Sequence, residues 1–414
     1  MSLQQSDHFR IAVRKFGPFE TMLQKTWDEY CSHSGCRLAG ELVALDLHPL
    51  HQTLLTDGGL KNGDWDVAHI STDWLYEAYN SGSLEDLAPY LGNVPPEDFP
   101  HGWSESLLGL QQFGGTIGAL PFHDGPECLI YRKDLFGDPR EQEIFFKLYG
   151  KKLAPPVTWE EFRDIARFFN RPGEQRYGAV FACFPDGHNT VFDFSLQVWT
   201  RGGSLVNRLG QIDIDTPEAA EGLKFYRDMV NDVSAVHPGS AGFDSVAAGA
   251  AFARGEAAMM VNWFGFASVC EVSETSQVKG KVDITNVPAA MPHETASLNV
   301  YWLYAIGSGS RHKQTAYDFI RFALSKTNDR LLTLEGGIGC RISTWTDPEI
   351  NQLIPYYHKL EELHRHARTL PLKDNWNAIA AVIDEVVLEA TGTQKPINQL
   401  LARGQGKILS LNKA

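Results

Sequence analysis

Patterns typical of strands and of helices alternate along almost the whole of this 414-residue chain. HFRIAVRKF, at 8–16, alternates apolar and polar side chains as a half-buried strand does. VTWEEFRDIARFF, at 157–169, instead repeats apolar residues at helical spacing, and Thr158 with Glu161 forms a capping box at its start. This alternation predicts the α/β class, with mostly parallel sheets flanked by helices.

The length and charge of the chain limit the classes of protein it can belong to. A single hydrophobic core usually stops growing at about 250–300 residues, so 414 residues predict two domains. With 37 basic and 51 acidic side chains, the net charge is −14. A charge of this sign repels phosphate backbones and anionic lipid headgroups, so we expect no nucleic-acid or membrane-surface partner.

The N-terminus, MSLQQSDHF, lacks the basic and apolar regions of an export signal. Met-Ser-Leu can equally replace a removed signal, so both interpretations stay open. Six cysteines, without Cys-x-x-Cys spacing, predict no zinc site. Cys31 and Cys36 point apart on one continuous helix, but a local disulfide becomes feasible if that helix ends near 34–35. Free thiols are the expectation here.

Sequence motifs for catalysis are missing from this chain. It contains neither a G-x-S-x-G nucleophile elbow nor a phosphate-binding loop. Its adjacent acidic pairs, at 160–161, 361–362 and 384–385, lie in helical patterns, where neighbouring side chains point about 100° apart. The histidines at 48–51 and 364–366 have no third metal ligand at a telling spacing. We therefore predict no enzyme, metal or cofactor; a carbohydrate-active hydrolase with paired carboxylates remains the alternative.

Seven segments, in order from about Phe9 to Leu411, together resemble extracellular solute-binding protein family 1 of the ABC importers, the group that includes maltose-binding protein. They are GDWDVAHIS, IGALPF with LIYRKDLF, PPVTWEEFRDIARFF, DTPEAAEGLKFYRDMV, AAFARGEAAMMVNW, AYDFIRFALS and GGIGCRISTWTDPE. The resemblance implies a two-lobe periplasmic-binding-protein-like fold joined by crossing strands, with 1–124 and 300–342 in the N-terminal lobe and 125–299 and 343–414 in the C-terminal lobe.

The same resemblance implies a function. Such a protein binds a small solute, here a sugar or sugar derivative, in a cleft between its lobes, and the lobes close on it. It is a periplasmic or extracellular monomer that delivers the solute to ABC permease subunits in the membrane. A binding protein for a cationic or polyol solute is a further alternative.

The resemblance also assigns site residues, because it makes LPFHDGPECLIY a crossing strand rather than a surface turn. Sugars need aromatic platforms and hydrogen-bonding carboxylates, amides or guanidinium groups. Asp73 with Trp74, and Asn262 with Trp263, follow predicted strands at their carboxyl ends, where open α/β sheets bind ligands. The full set of predicted ligand-binding residues is Asp73, Trp74, His123, Asp124, Phe192, Asp193, Trp199, Asn262, Trp263, Tyr301, Trp302 and Arg341, with Glu127 as a further candidate.

Alternatives remain for several of these residues. Trp199 fits a core position as well as a ligand contact, and Arg341 fits a structural ion pair as well as a ligand clamp. Relatives commonly carry Gly-Gly where this chain has Val300 and Tyr301, and this bulk indicates a smaller or differently shaped cleft. The ligand class therefore stays open among compact sugars, sugar acids, amino sugars, polyols and cationic solutes.

Overall fold

A computed structural model describes residues 8–411 and divides the chain into two compact units. The first unit contains the described residues up to Gly125, together with Val300–His358 and Leu372–Asp374. The second contains Pro126–Asn299, Lys359–Pro371 and the described residues from Asn375 onward. The polypeptide therefore leaves the first unit after Gly125 and returns to it after Asn299.

The strands of both units are short. They are β1 (His8–Arg14), β2 (Ala39–Leu45), β3 (Val67–Ser71), β4 (Gln112–Phe113), β5 (Thr116–Ile117), β6 (Leu120–His123), β7 (Glu127–Arg132), β8 (Tyr177–Val180), β9 (Ala257–Trp263), β10 (Val282–Thr285), β11 (Ser297–Leu298), β12 (Trp302–Ile306) and β13 (Ala367–Arg368).

The α-helices account for much of the remaining chain. They are α1 (Gly17–Ser34), α2 (Leu47–His51), α3 (Gly59–Asn62), α4 (Leu75–Asn80), α5 (Ala88–Asn93), α6 (Lys133–Gly137), α7 (Pro139–Tyr149), α8 (Trp159–Phe169), α9 (Asn189–Trp199), α10 (Pro217–Val230), α11 (Ser245–Ala253), α12 (Phe264–Val272), α13 (Lys313–Ala323), α14 (Lys326–Leu334), α15 (Ile342–Trp345), α16 (Pro348–Leu353), α17 (Leu360–Arg365), α18 (Trp376–Gly392) and α19 (Ile397–Leu411).

Each unit is built on one main sheet. The first unit has the strand order β2-β1-β3-β12-β6, and the second has β10-β7-β9-β8. In the first sheet β1 runs parallel to β2 and β3, whereas β12 runs antiparallel to β3 and β6. In the second sheet β7 runs antiparallel to β10 and β9, and β8 is parallel to β9.

The predicted α/β class is confirmed, but the sheets are mixed rather than mostly parallel. Strands β7 and β12 begin directly after the chain changes units, at Glu127 and Trp302. β7 is the first strand of its sheet along the chain, and β12 is separated from β6, the preceding strand of its sheet, by Pro126–Asn299 of the second unit. The right-handed βαβ connection that enforces parallel pairing is therefore missing at these two strands.

Local signals set the helix ends as the sequence predicts. The Thr158 side chain accepts from the Glu161 backbone, and Glu161 closes the capping box at the start of α8. Thr216 caps α10, where Pro217 occupies the first turn. Because these bonds involve neighbours in sequence, no tertiary contact is needed to specify them.

Residues 343–358 differ from the sequence-based division, which placed them in the C-terminal lobe. They belong to the first unit because α15 and α16 pack on α14. Arg330 pairs with Asp347 at 3.2 Å between nitrogen and oxygen, and the Trp345 indole donates to the Gly339 carbonyl over 2.8 Å. Within residues 8–411, no helix has the length and apolar character needed to cross a membrane.

Candidate functional site

Three strand ends of the first sheet meet at Trp302, the first residue of β12. Trp302 is paired with Ser71, the last residue of β3, on one side and with His123, the last residue of β6, on the other. We call the group formed by Ser71, Asp73, Trp74, His123 and Trp302 the strand-end cluster. It lies at the edge of the sheet where β3 and β6 end, which is the usual ligand-binding edge of an α/β sheet.

Two aromatic rings fix the indole of Trp302. Trp74 meets it edge to face with ring centroids 5.7 Å apart, and Phe19 contacts it at 6.4 Å. Trp74 is only 1% exposed, whereas Trp302 is half-buried. Trp302 is therefore the more exposed of the two indoles in this cluster, and Trp74 contacts it from the interior.

Polar side chains lie at the ends of the two strands that pair with Trp302. The Ser71 hydroxyl donates to the Asp73 carboxylate. Within residues 8–411, no hydrogen-bond partner reaches the buried Nε2 atom of His123, and burial lowers the pKa of this imidazole to about 3. His123 is therefore a neutral ring at physiological pH.

Two predicted residues of the first unit make interior contacts instead. The Tyr301 hydroxyl donates to the Leu107 carbonyl over 3.1 Å, and its side chain is 1% exposed. The large Tyr301 side chain therefore packs inside the first unit. Asp124 is also buried, and its backbone amide donates to the Ile338 carbonyl over 2.9 Å.

Arg341 has the contacts of a structural residue. Its guanidinium donates to the Leu324 carbonyl over 2.9 Å and to the Glu97 carbonyl over 2.8 Å. The same group lies over the ring of Trp103, 4.4 Å from the centroid, and the side chain is 1% exposed. Because its donors are used by two backbone carbonyls, Arg341 has the contacts of a residue that stabilises the first unit rather than those of a ligand clamp.

In the second unit, Glu127 and Trp263 are direct cross-strand partners on β7 and β9. Trp263 also contacts Phe192 of α9 edge to face, at 5.6 Å between centroids. Asp193 follows Phe192 on that helix and accepts a 2.7 Å hydrogen bond from the Tyr226 hydroxyl. We call Glu127, Phe192, Asp193 and Trp263 the acid-pair cluster.

The two carboxyl groups of the acid-pair cluster are held in an unfavourable environment. Glu127 is 5% exposed, and among the described residues no donor reaches its Oε2 atom. Burial raises the pKa of Glu127 well above its usual range, and the negative charge of Asp193 raises it further. Burial also raises the pKa of Asp193 to about 7, although the hydrogen bond from Tyr226 opposes the shift. Near neutral pH the pair retains protons, so it can both donate and accept hydrogen bonds.

Asn262 supports Trp263 rather than facing a ligand. Its amide nitrogen donates to the Ser245 carbonyl over 3.0 Å, and its oxygen accepts from the Trp263 backbone amide over 2.8 Å. Trp199 is buried at the end of α9. The structure thus brings Phe192, Asp193 and Trp263 together, while Asn262 and Trp199 are interior residues beside them.

Tyr226 is a polar neighbour of this cluster that the sequence reasoning missed. It lies in the middle of α10, where its pattern is that of an ordinary core aromatic residue. Its hydroxyl touches both Asp193 and the Cys183 thiol, the latter at 3.3 Å. No signal in the sequence links positions 193 and 226, because the contact depends on how α9 and α10 pack.

A two-unit α/β chain with polar and aromatic residues at strand ends has the architecture of a solute-binding protein. The chain matches the profile of the bacterial extracellular solute-binding protein family over residues 49–329. It belongs to that family, which confirms the resemblance read from the sequence.

Individual relatives agree with this assignment. The mannitol-binding protein of Pseudomonas aeruginosa is 28% identical over 338 residues, covering 78% of this chain and 71% of the relative. A probable ABC transporter-binding protein of Deinococcus radiodurans is 23% identical over 323 residues, covering 76% and 71% of the two chains.

Solved structures share the fold. Maltose-bound T. maritima MalE3 superposes with a TM-score of 0.85 at 22% identity, covering 98% of this chain and 99% of its own. A solute-binding protein of Agrobacterium radiobacter K84 in complex with ribitol also gives 0.85, at 23% identity and 98% coverage of each chain. The predicted periplasmic-binding-protein-like fold is confirmed by these similarities.

Proposed function

We propose that this protein binds a neutral sugar or sugar alcohol outside the cytoplasm and delivers it to the permease subunits of an ABC importer. Membership of the extracellular solute-binding family supports the transport role. The names of its relatives support the ligand class, since they include a mannitol-binding protein and structures with ribitol and maltose.

The observation that carries the proposal is the orphaned Oε2 atom of Glu127, whose direct cross-strand partner is Trp263. A buried carboxyl oxygen without a donor costs free energy, which a ligand hydroxyl can recover by donating to it. The indole next to it offers an apolar face for the C–H groups of a sugar or polyol. Polyhydroxy solutes supply both kinds of group within a few bonds of one another.

The electrostatic environment of the acid-pair cluster favours neutral solutes over charged ones. No lysine or arginine of the described chain forms an ion pair with Glu127 or Asp193 within 4.0 Å. Near neutral pH this pair retains protons, so it offers no positive charge to stabilise the carboxylate of a sugar acid. Since an unpaired charge in a poorly hydrated site costs free energy, we propose a neutral ligand and exclude sugar acids.

The strand-end cluster supplies a second candidate binding surface, with the Trp302 indole and the neutral His123 ring. The expectations of a cleft between lobes, of closure on the ligand and of a monomeric state stay predictions. The substitutions proposed in the Discussion therefore test the acid-pair cluster by itself.

A thermal-shift screen tests the proposal. D-mannitol, ribitol, maltose and D-sorbitol form the neutral panel, with D-gluconate and D-glucamine as anionic and cationic relatives of D-sorbitol. A bound compound at about 100 times its dissociation constant adds about 2.7 kcal/mol to the free energy of unfolding. We expect a shift with a neutral compound that is recovered chemically intact. A shift with D-glucamine alone would favour the cationic-solute alternative, and cleavage of maltose, the compound in the panel with a glycosidic bond, would favour the hydrolase.

A further inference from the structure

Helix α1 ends in a way that reverses the chain between two cysteines. Its last residue is Ser34, and Gly35 follows in the left-handed region with φ 72°. The Gly35 amide donates to the Cys31 carbonyl over 3.0 Å, which closes the final turn. Cys36 therefore folds back against the turn that contains Cys31 instead of continuing around the helix. A local disulfide between these two positions needs such a reversal of the chain.

The two cysteines are neighbours at this turn and partly accessible. The Cys36 amide donates to the Ser34 hydroxyl over 3.2 Å. Burial raises the pKa of Cys31, and the Cys36 side chain is near enough to raise it further. Both residues are half-buried, whereas Cys128, Cys270 and Cys340 are buried. A small oxidant can thus reach Cys31 and Cys36, while these three thiols are shielded.

We propose that Cys31 and Cys36 form an intramolecular disulfide when the folded protein meets a disulfide-bearing oxidant such as oxidised glutathione. Families of extracellular proteins work in oxidising compartments, where such bonds persist. The inference concerns a modification site on the first unit and does not depend on which solute the protein binds.

The reaction balances without any group from the binding clusters. Burial raises the pKa of the Cys31 thiol to about 11, so the Cys36 thiolate attacks the oxidant first. This step forms a mixed disulfide at Cys36 and releases one oxidant thiolate. The Cys31 thiolate then attacks the Cys36 sulfur and releases the second thiolate. Two S–H bonds are lost, one S–S bond forms in the protein, and the oxidant is reduced to two thiols.

The bond would fix the end of a helix that belongs to the core of the first unit. Trp27 on α1 stacks on Phe9 of β1 with centroids 4.7 Å apart, and Tyr30 contacts Phe319 of α13 at 5.6 Å. Cys31 follows Tyr30 directly. Closing a short loop here restricts the unfolded chain and prevents fraying of the last turn, so the oxidised protein should unfold at a higher temperature.

Peptide mapping tests the proposal directly. Trypsin cleaves after Lys25 and Arg37, and the peptide 26–37 contains Cys31 and Cys36 and no other cysteine. The native protein is equilibrated with reduced and oxidised glutathione, alkylated, and digested. We expect this peptide to lose both alkyl groups and the mass of two hydrogen atoms as the buffer becomes oxidising. The peptides carrying Cys128, Cys270 and Cys340 should stay alkylated and serve as internal controls.

A second arm separates folded geometry from mere nearness in sequence. The same equilibration in urea should give a crosslinking constant at least about tenfold lower than in the native protein, because the native turn holds the thiols together. Cys31→Ser and Cys36→Ser should each abolish the crosslink and leave the remaining thiol alkylated or glutathionylated. Two alkylated thiols, or glutathione mixed disulfides without a crosslink, in the oxidised native protein would overturn the proposal. An equal crosslinking constant in urea would also overturn it.

Discussion

Glu127 and Trp263 stand directly opposite each other on the antiparallel strands β7 and β9. The pairing places a buried carboxyl group with an orphaned oxygen beside a half-buried indole. Glu127 is also the second residue of the second unit, immediately after the chain leaves the first. This cross-strand pair is therefore the structural basis of the ligand class proposed for the protein.

Removing the indole should weaken binding without unfolding the protein. Trp263→Leu loses the flat apolar face next to Glu127, and we expect the affinity for a neutral polyol to fall at least about tenfold, or ~1.4 kcal/mol. Isothermal titration with the best neutral compound of the screen measures it. Trp159→Phe is the matched control, since Trp159 is a core residue of the same unit that donates to Thr200. Equal affinities in both variants would remove Trp263 from the site.

Neutralising one carboxyl group should change the charge selectivity. At a pH high enough to ionise Glu127, Glu127→Gln keeps one acceptor oxygen but removes the negative charge that repels anions. We expect weaker binding of D-sorbitol and stronger binding of D-gluconate, so that their affinity ratio falls about tenfold. The affinity ratio is measured by competition at that pH and at fixed ionic strength. An unchanged ratio would mean that Glu127 does not discriminate between solutes by their charge.

The raised pKa of Asp193 predicts a pH-dependent stability. Its pKa rises from 3.8 to about 7 in the folded protein, so the unfolded chain loses this proton first as the pH increases. The folded state is therefore penalised progressively between about pH 4 and pH 7. Asp193→Asn removes that penalty while keeping an acceptor for Tyr226.

The corresponding measurement is the unfolding temperature of wild type and Asp193→Asn from pH 4 to pH 8. The variant should gain on wild type as the pH rises to about 7, with little further change above it. Tyr226→Phe removes the donor that stabilises the ionised form and should extend the window to higher pH. A pH-independent difference would contradict the raised pKa.

Arg341 should matter for stability and not for ligand affinity. Arg341→Lys cannot keep both carbonyl contacts and the stacking on Trp103, and we expect a loss of about 2–4 kcal/mol in the free energy of unfolding. Urea unfolding measures this loss, and calorimetry at low temperature, where the variant is folded, measures binding. Lost affinity with unchanged stability would restore the ligand-clamp alternative.

Local features of the fold were readable from the sequence. Thr158 with Glu161, and Thr216 with Pro217, specify helix starts through contacts within a few residues. Buried strands such as β9 are recognisable in the sequence as short apolar runs. The sequence did not predict that β7 and β12 run antiparallel to their neighbours. The chain enters both strands from the other unit, and no local pattern indicates the direction of such a strand.

The composition of the candidate clusters was only partly readable. Position after a strand put forward Trp263 and Asn262 alike, and the family resemblance put forward Asp193 and Trp199 alike. What sets Asn262 apart in the structure is that its amide donates to the Ser245 carbonyl. Such partners are distant in sequence, so their contacts follow from tertiary packing and not from any local pattern.

The most direct test of the account is calorimetric titration of the wild-type protein with D-mannitol, ribitol, maltose and D-sorbitol, each compared with D-gluconate under identical conditions. We predict saturable binding of at least one neutral compound, with an affinity at least about tenfold above that for D-gluconate. Tighter binding of D-gluconate than of every neutral compound would contradict the acid-pair account of ligand selection, and absence of binding across the neutral panel would contradict the proposed ligand class.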